Sequence, residues 1–234
     1  AERRTGPGLA VALRRGLALF DPASETLRRL HEPEPERTGN RFNDGKCDAQ
    51  GRFWAGSMDY ACEAPTGAWY RFDAQGRARC AADVGWIVTN GPAWSRDGRT
   101  LFANNTLRQE VTAWNFDPGT GSITEPRVWL RFSADDGLPD GMTTDAEGRL
   151  WIAHWGAACV TCHDPFTAAE LLRVPLPTSH ITNVAFGGSE LRTLFITSAR
   201  FGLSDEQLTA EPLAGALFAV DTDAQGLPAN AYAG

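Results

Sequence analysis

A short apolar strand pattern running into an Asp turn returns five times along this chain. The copies end at Phe20-Asp21, Phe72-Asp73, Phe116-Asp117, His163-Asp164 and Val220-Asp221, at spacings of 44 to 57 residues. Between them a second pattern returns, a Gly turn that opens a strand: Asp48-Ala49-Gln50-Gly51-Arg52-Phe53-Trp54, Arg96-Asp97-Gly98-Arg99-Thr100-Leu101-Phe102 and Asp145-Ala146-Glu147-Gly148-Arg149-Leu150-Trp151. A looser copy runs from Gly188 to Phe195. Several short strands per period, at a period of this length, are the mark of propeller blades rather than of a helical solenoid. One blade cannot bury both faces of its own sheet, so blades must stack side by side around an axis. The expectation is an all-β propeller forming a single domain over residues 1–234. Four periods fit between Asp21 and Asp221 with part of another at each end, and the chain opens inside the strand-like Gly8–Leu13, so an amino-terminally incomplete ring is expected.

Twenty-four Gly and 14 Pro spread between short apolar runs suit many strands joined by tight turns. One helix is expected, over Leu203–Leu213, with Ser204 as its N-cap and acidic residues behind it. The net charge of −7, from 22 Lys and Arg against 29 Asp and Glu, repels nucleic acid and anionic membrane surfaces. No apolar run is long enough for a bilayer span. The five cysteines are odd in number and too few for a disulfide scaffold, which places the chain in a reducing cytoplasm.

Eight residues before the turn glycine of each clear repeat stand Asn43, Asn90 and Asp140, each ahead of or beside a glycine at the expected start of a blade's innermost strand. Equivalent positions of successive blades surround one axis, so three side-chain oxygens should converge there. Amide and carboxylate oxygens suit a divalent cation such as Ca²⁺, Mg²⁺, Mn²⁺ or Zn²⁺. Taken one at a time, Asn-Asp-Gly, Asn-Gly and Asp-Gly are also ordinary turn formers.

The segment Asn40-Arg41-Phe42-Asn43-Asp44-Gly45-Lys46, followed by Gly51-Arg52-Phe53-Trp54-Ala55-Gly56-Ser57-Met58, resembles the hallmark of the gluconolactonase, regucalcin and luciferin-regenerating-enzyme family. Asn90-Gly91-Pro92-Ala93-Trp94-Ser95, Pro139-Asp140-Gly141-Met142 and Asn183-Val184-Ala185-Phe186-Gly187-Gly188 resemble its later signatures, in order. The resemblance implies a six-bladed propeller with one divalent metal in the central channel. It carries metal ligation to Asn90 and Asp140, puts Asn43 near the metal, and makes Arg41 and Asn43 substrate-contacting residues. It also implies a Glu ligand in an amino-terminal Gly-Glu-Gly-Pro segment, for which Arg4-Thr5-Gly6-Pro7 is no substitute. The implied activity is metal-assisted opening of a sugar lactone to its acid, with Asp140 as general base. Trp155, with His154 before it, follows the Leu150–Ala153 strand and can offer an apolar wall to a sugar ring. The competing expectation is a non-catalytic metal- or ligand-binding propeller.

Cys159-Val160-Thr161-Cys162-His163 matches a c-type haem attachment pattern. The repeat register puts it on a propeller strand, where residues three apart face opposite ways, so no haem is expected. His31, His154, His163 and His180 show no metal-ligand spacing. Glu32-Pro33-Glu34-Pro35-Glu36 reads as a solvated loop, and Trp94, Trp114 and Trp151 read as core.

Overall fold

Alternating apolar and polar residues between Gly-rich turns leave each segment able to satisfy its backbone only by pairing with its neighbour. The computed structural model describes residues 2–6 and 8–234, so the Arg4–Pro7 segment is described except for Pro7, which with Ala1 lies outside the described residues. Among the described residues nineteen strands form five antiparallel sheets, each a simple meander. The first holds β1 (Glu2–Arg3), β2 (Leu9–Leu13), β3 (Gly16–Asp21) and β4 (Thr26–Arg29). The second holds β5 (Asn40–Cys47), β6 (Phe53–Asp59), β7 (Gly67–Phe72) and β8 (Ala78–Trp86). The third holds β9 (Thr89–Trp94), β10 (Thr100–Asn105), β11 (Glu110–Asp117) and β12 (Ser122–Arg131). The fourth holds β13 (Leu138–Thr144), β14 (Leu150–Trp155), β15 (Cys159–His163) and β16 (Glu170–Pro175). The fifth has three strands, β17 (Ile181–Gly187), β18 (Thr193–Ser198) and β19 (Leu217–Asp221). The chain is an all-β propeller, but the described residues make five blades where six were expected. Strand supply is the reason, since nineteen strands fill four sheets of four and one of three.

The core lies between sheets. Leu17, Phe42, Phe53, Phe72 and their neighbours fill the space between the first and second, and Trp54, Trp69, Leu101 and Trp114 that between the second and third. Phe102, Met142 and Ile152 join the third to the fourth, and Trp151, Val160, Leu194 and Ile196 join the fourth to the fifth. Of the tryptophans expected in the core, Trp114 and Trp151 are buried and Trp94 packs half-buried against the same cluster as Trp114. The outward residues of the fifth sheet alternate with these: Leu217 is 64% exposed and Phe195 is exposed with it.

The repeated Gly turn is an interlock. The Asp48 carboxylate accepts from Gln50 N and Arg52 N on one oxygen and from Arg52 Nε (2.6 Å) and Trp54 Nε1 (2.9 Å) on the other. Asp145 repeats this with Glu147 N, Arg149 N, Arg149 Nε (2.7 Å) and Trp151 Nε1 (2.9 Å). Gly51 and Gly148 sit at positive φ, where a side chain would strain the turn.

The last residues leave the fifth sheet and run back beneath the others. Ala146 N donates to Gln225 O, Asn230 Nδ2 to Cys47 O, and Ala233 N to Gly51 O. Tyr232, fully buried in the core of the first two sheets, exchanges backbone hydrogen bonds with Arg3 and Thr5.

The helix expected over Leu203–Leu213 is α1 (Asp205–Ala210), one turn and a half with the Ser204 cap and Gln207 closing a capping box. Its last turn does not continue, as Glu211 leaves helical geometry and its carboxylate instead caps Ser179 N and Thr178 Oγ1. The Glu32–Glu36 loop also differs from expectation. The Glu34 side chain is 7% exposed and accepts from Ser57 Oγ, Tyr70 OH and Asn40 Nδ2, so it pins the start of β5. Cys159 and Cys162 are both buried free thiols on β15.

Candidate functional site

The innermost strands β5, β9, β13 and β17 pack in succession around the axis. Each breaks register with its partner at one place: between Phe42 and Gly45, at Gly91-Pro92 opposite Ala103, between Pro139 and Met142, and between Ile181 and Asn183. A bulge leaves a residue out of the ladder and re-aims its side chain. The residues so displaced are Asn43 and Asp44, Gly91 and Pro92 beside Asn90, and Asp140 and Gly141. The eightfold spacing back from the turn glycine is thus the distance from the bulge at one end of an inner strand to the turn at the other.

Hydrogen bonds join the residues singled out from sequence. Arg41 Nη1 donates to Asn43 Oδ1 (2.6 Å), and Asn43 Nδ2 donates to Asn90 Oδ1 (2.7 Å) and Thr89 O (2.8 Å). Asn90 Nδ2 donates to Thr106 Oγ1 (2.9 Å), whose hydroxyl donates to Pro139 O (2.9 Å), one residue before Asp140. Asn104 Nδ2 donates to Asp140 O, while its own Oδ1 is buried without a partner. Thr106 and Asn104 were not foreseen. Asn104-Asn105, two amides at the end of β10 facing the bulge of β9, is the one trace of them in the sequence. Asn183 also belongs here, its side chain lying so close to Gly141 that an added Cβ would come within 2.2 Å of it.

The carboxyl of Asp140 is pushed well above the usual carboxylate range, first by burial and then by the charge of Asp44, with Arg41 opposing. Among the described residues nothing forms an ion pair with it. Further along the axis, burial raises Asp44 and lowers Lys46, and the two moderate each other. Lys46 Nζ donates to Met142 O (2.6 Å), and burial lifts Glu2 to about 7 against the pull of Lys46. These groups border a cavity of about 560 Å³ that reaches Thr143, Asn183 and Phe195. Arg41, Asn43, Asn90 and Asp140 are not among the residues that line it.

Trp155 ends β14 and stacks on His180, with centroids 3.9 Å apart and planes at 19°. Among the described residues no hydrogen bond or ring contact joins that pair to the amide network. His154 does not line the site. It is fully buried, with Nδ1 2.7 Å from Asp136 O and Nε2 2.7 Å from Thr161 Oγ1, because its place in the strand turns it into the sheet interface against Phe132.

Among the described residues no three His, Cys, Asp or Glu side chains gather to hold a metal. The donors here are of another kind. A part-buried carboxylate that forms no ion pair, on the inner strand that follows the one bearing Asn90, is what a hard divalent cation would stabilise, so Asp140 and Asn90 fit such an ion. The oxygens of Asn43 and Asn90 are already engaged by Arg41 and Asn43, which leaves each one lone pair.

A polar hydrogen-bond network at the bulged inner strands of a propeller defines the class. Residues 1–200 match the family described as SMP-30/Gluconolactonase/LRE-like region, and the chain belongs to it. It is 35% identical to L-arabinolactonase of Azospirillum brasilense over 97% of this chain and 74% of that protein. With the regucalcin of Danio rerio it shares 34% identity over 99% of this chain and 79% of the relative. The crystal structure of a calcium-binding regucalcin from Agrobacterium tumefaciens superposes with a TM-score of 0.93 at 29% identity, over 99% of this chain and 78% of that one. Among the described residues no helix is long and apolar enough to cross a membrane.

Proposed function

We propose that the chain is a metal-dependent hydrolase that opens a sugar lactone to its acid. The observation that carries this is Asp140, a part-buried carboxylate that forms no ion pair, whose strand is joined at Pro139 through Thr106 to Asn90 and on to the Asn43–Arg41 pair. Membership of a family that includes an L-arabinolactonase supports the substrate class, and the calcium-binding neighbour supports a divalent ion, Ca²⁺ or another oxygen-seeking cation such as Mg²⁺, Mn²⁺ or Zn²⁺. When bound, the cation would supply Lewis-acid polarisation of the carbonyl and favour ionised Asp140. Asp140 and Asn90 would hold it, with Asn43 orienting Asn90.

The chain's own groups then have distinct tasks. Arg41 holds a ring or hydroxyl oxygen of the lactone by charge-assisted hydrogen bonds, from a guanidinium already steadied by Asn43. Ionised Asp140 takes the proton of the attacking water as its oxygen adds to the carbonyl carbon. The ring C–O bond breaks, the proton passes to the departing oxygen, and a hydroxy acid results. Trp155, steadied by His180, is an apolar wall at the rim.

The same reading includes a sixth sheet closing the ring against the open side of the fifth. The exposed alternation of Phe195, Thr197, Leu217 and Ala219, with the cavity running from there to Glu2, supports it. Five free thiols favour a cytoplasmic setting. The test is lactone hydrolysis followed in a pH-stat with added Ca²⁺, with chelator, and with Asp140→Ala. Chelation and the substitution should each abolish turnover, and full activity in either case removes the mechanism.

A further inference from the structure

The inner strands begin on one face of the propeller, and there the β2–β3 turn of the first sheet is Arg14-Arg15, while the loop after β6 begins at Tyr60. Arg14 is held against the site by its backbone, since Phe42 N donates to Arg14 O (3.1 Å), one residue from Asn43. Tyr60 is 61% exposed, and its ring contacts are two guanidinium groups. The Arg14 Cζ lies 5.1 Å from the ring centroid and that of Arg41 lies 5.9 Å away. One aromatic platform therefore carries the arginine of the amide network and a second arginine at the rim.

Nearby cations are neutralised where they stand: Arg15 pairs with Glu32, and Arg37 with Asp83 at 2.6 Å. The nearby carboxylates are taken as well. Asp59 turns inward to cap Glu63 N and Ala64 N, and Glu34 is held by Ser57, Tyr70 and Asn40. Among the described residues neither Arg14 nor Arg41 forms an ion pair, and the Arg14 guanidinium donates no hydrogen bond. In a chain of net charge −7, two guanidiniums that form no ion pair, side by side on one aromatic ring at the face where the inner strands begin, are a local anion trap. Arg41 is bonded to Asn43 and Asn43 to Asn90, so a ligand held in that network extends toward the pair.

We propose that the lactone this site takes carries a carboxylate of its own, as a sugar lactone oxidised at its terminal carbon does, and that Arg14 binds that carboxylate beside Arg41. The inference rests on the lactonase reading above and narrows its substrate class. The product is a dicarboxylic sugar acid, so the reaction that supplies the substrate must already have oxidised the terminal carbon.

The experiment compares kcat/KM for an aldaric acid monolactone with that for the aldonolactone of the same ring size and configuration, at low and high salt. The carboxylate-bearing lactone should be preferred by about tenfold or more at low salt, with the preference shrinking as salt screens the arginines. Arg14→Gln should remove about tenfold of that preference through KM. Arg15→Gln, which makes the same charge change one residue away at a paired arginine, should keep it. Equal kcat/KM for the two lactones, or a preference that survives Arg14→Gln, overturns the inference and leaves the lactonase reading standing. No turnover of either lactone refutes the lactonase reading and this inference together.

Discussion

Replacing Asp145 with Ala should destabilise the protein by about 2–4 kcal/mol, several times the effect of the same change at Asp73. The Asp145 side chain is fully buried and each of its oxygens accepts two hydrogen bonds. Truncation leaves the indole N–H of Trp151, itself 1% exposed, without an acceptor, which costs about 1–3 kcal/mol. Arg149 is 25% exposed and can turn to water, so its lost pair contributes about 1 kcal/mol rather than the 3–5 kcal/mol of a fully buried one. Asp73 builds the same turn with Gln75 N, Arg77 N and Arg77 Nε, but the two side chains are 37% and 73% exposed and no tryptophan is attached. About 1 kcal/mol or less is expected there. Urea denaturation read by tryptophan fluorescence measures both, with matching m-values needed for the comparison. For a chain of this size the difference amounts to roughly 10 °C in Tm. Equal losses at the two sites would refute the idea that the interlock works through the buried indole.

Acid should weaken the protein between pH 6.5 and 4, through the fourth sheet. Burial holds the His154 imidazole down at about 4 and lowers His163 in the same direction, so above pH 6.5 both folded and unfolded forms are neutral and stability is complete. As pH falls the unfolded chain takes protons first, and His154 alone removes about 3 kcal/mol by pH 4; a denaturation midpoint flat across that range in wild type, or a slope unchanged in His154→Gln, contradicts this. Gly141→Ala should lower lactone turnover by about a hundredfold with the fold kept, because the new Cβ displaces Asn183 next to Asp140; unaltered kinetics with a normal circular dichroism spectrum would count against Asn183 as part of the site.

The sheets and the contact of Asn43 with Asn90 were legible because both arise from periodic structure, whereas Arg41 was named only by the family resemblance. A turn glycine repeated at a fixed distance from a bulge leaves its trace in the spacing, whatever residues lie between. Groups held by non-periodic contacts left none. Glu34 looks like one more charge in a proline-stiffened loop, and only the fold brings Ser57 and Tyr70 to it. His154 follows a strand pattern that leads to the rim, yet alternation along β14 sends it inward and leaves Trp155 outside. The helix start was readable from Ser204, while its end was decided by Glu211 reaching Ser179, a partner distant in sequence. Blade number lay beyond the repeats themselves, which register four full periods and two partial ones.

The return of Tyr232 to Arg3 has a consequence for how the protein is made. A ribosome delivers the sheets in order, and each can dock on its predecessor as it emerges, since their contacts are local. The clasp of Tyr232 on Arg3 joins residues on either side of all five sheets, so it can form only after the sheets between them have been made. Until then the stacked blades lack the contact that draws the first sheet and the segment after the fifth together.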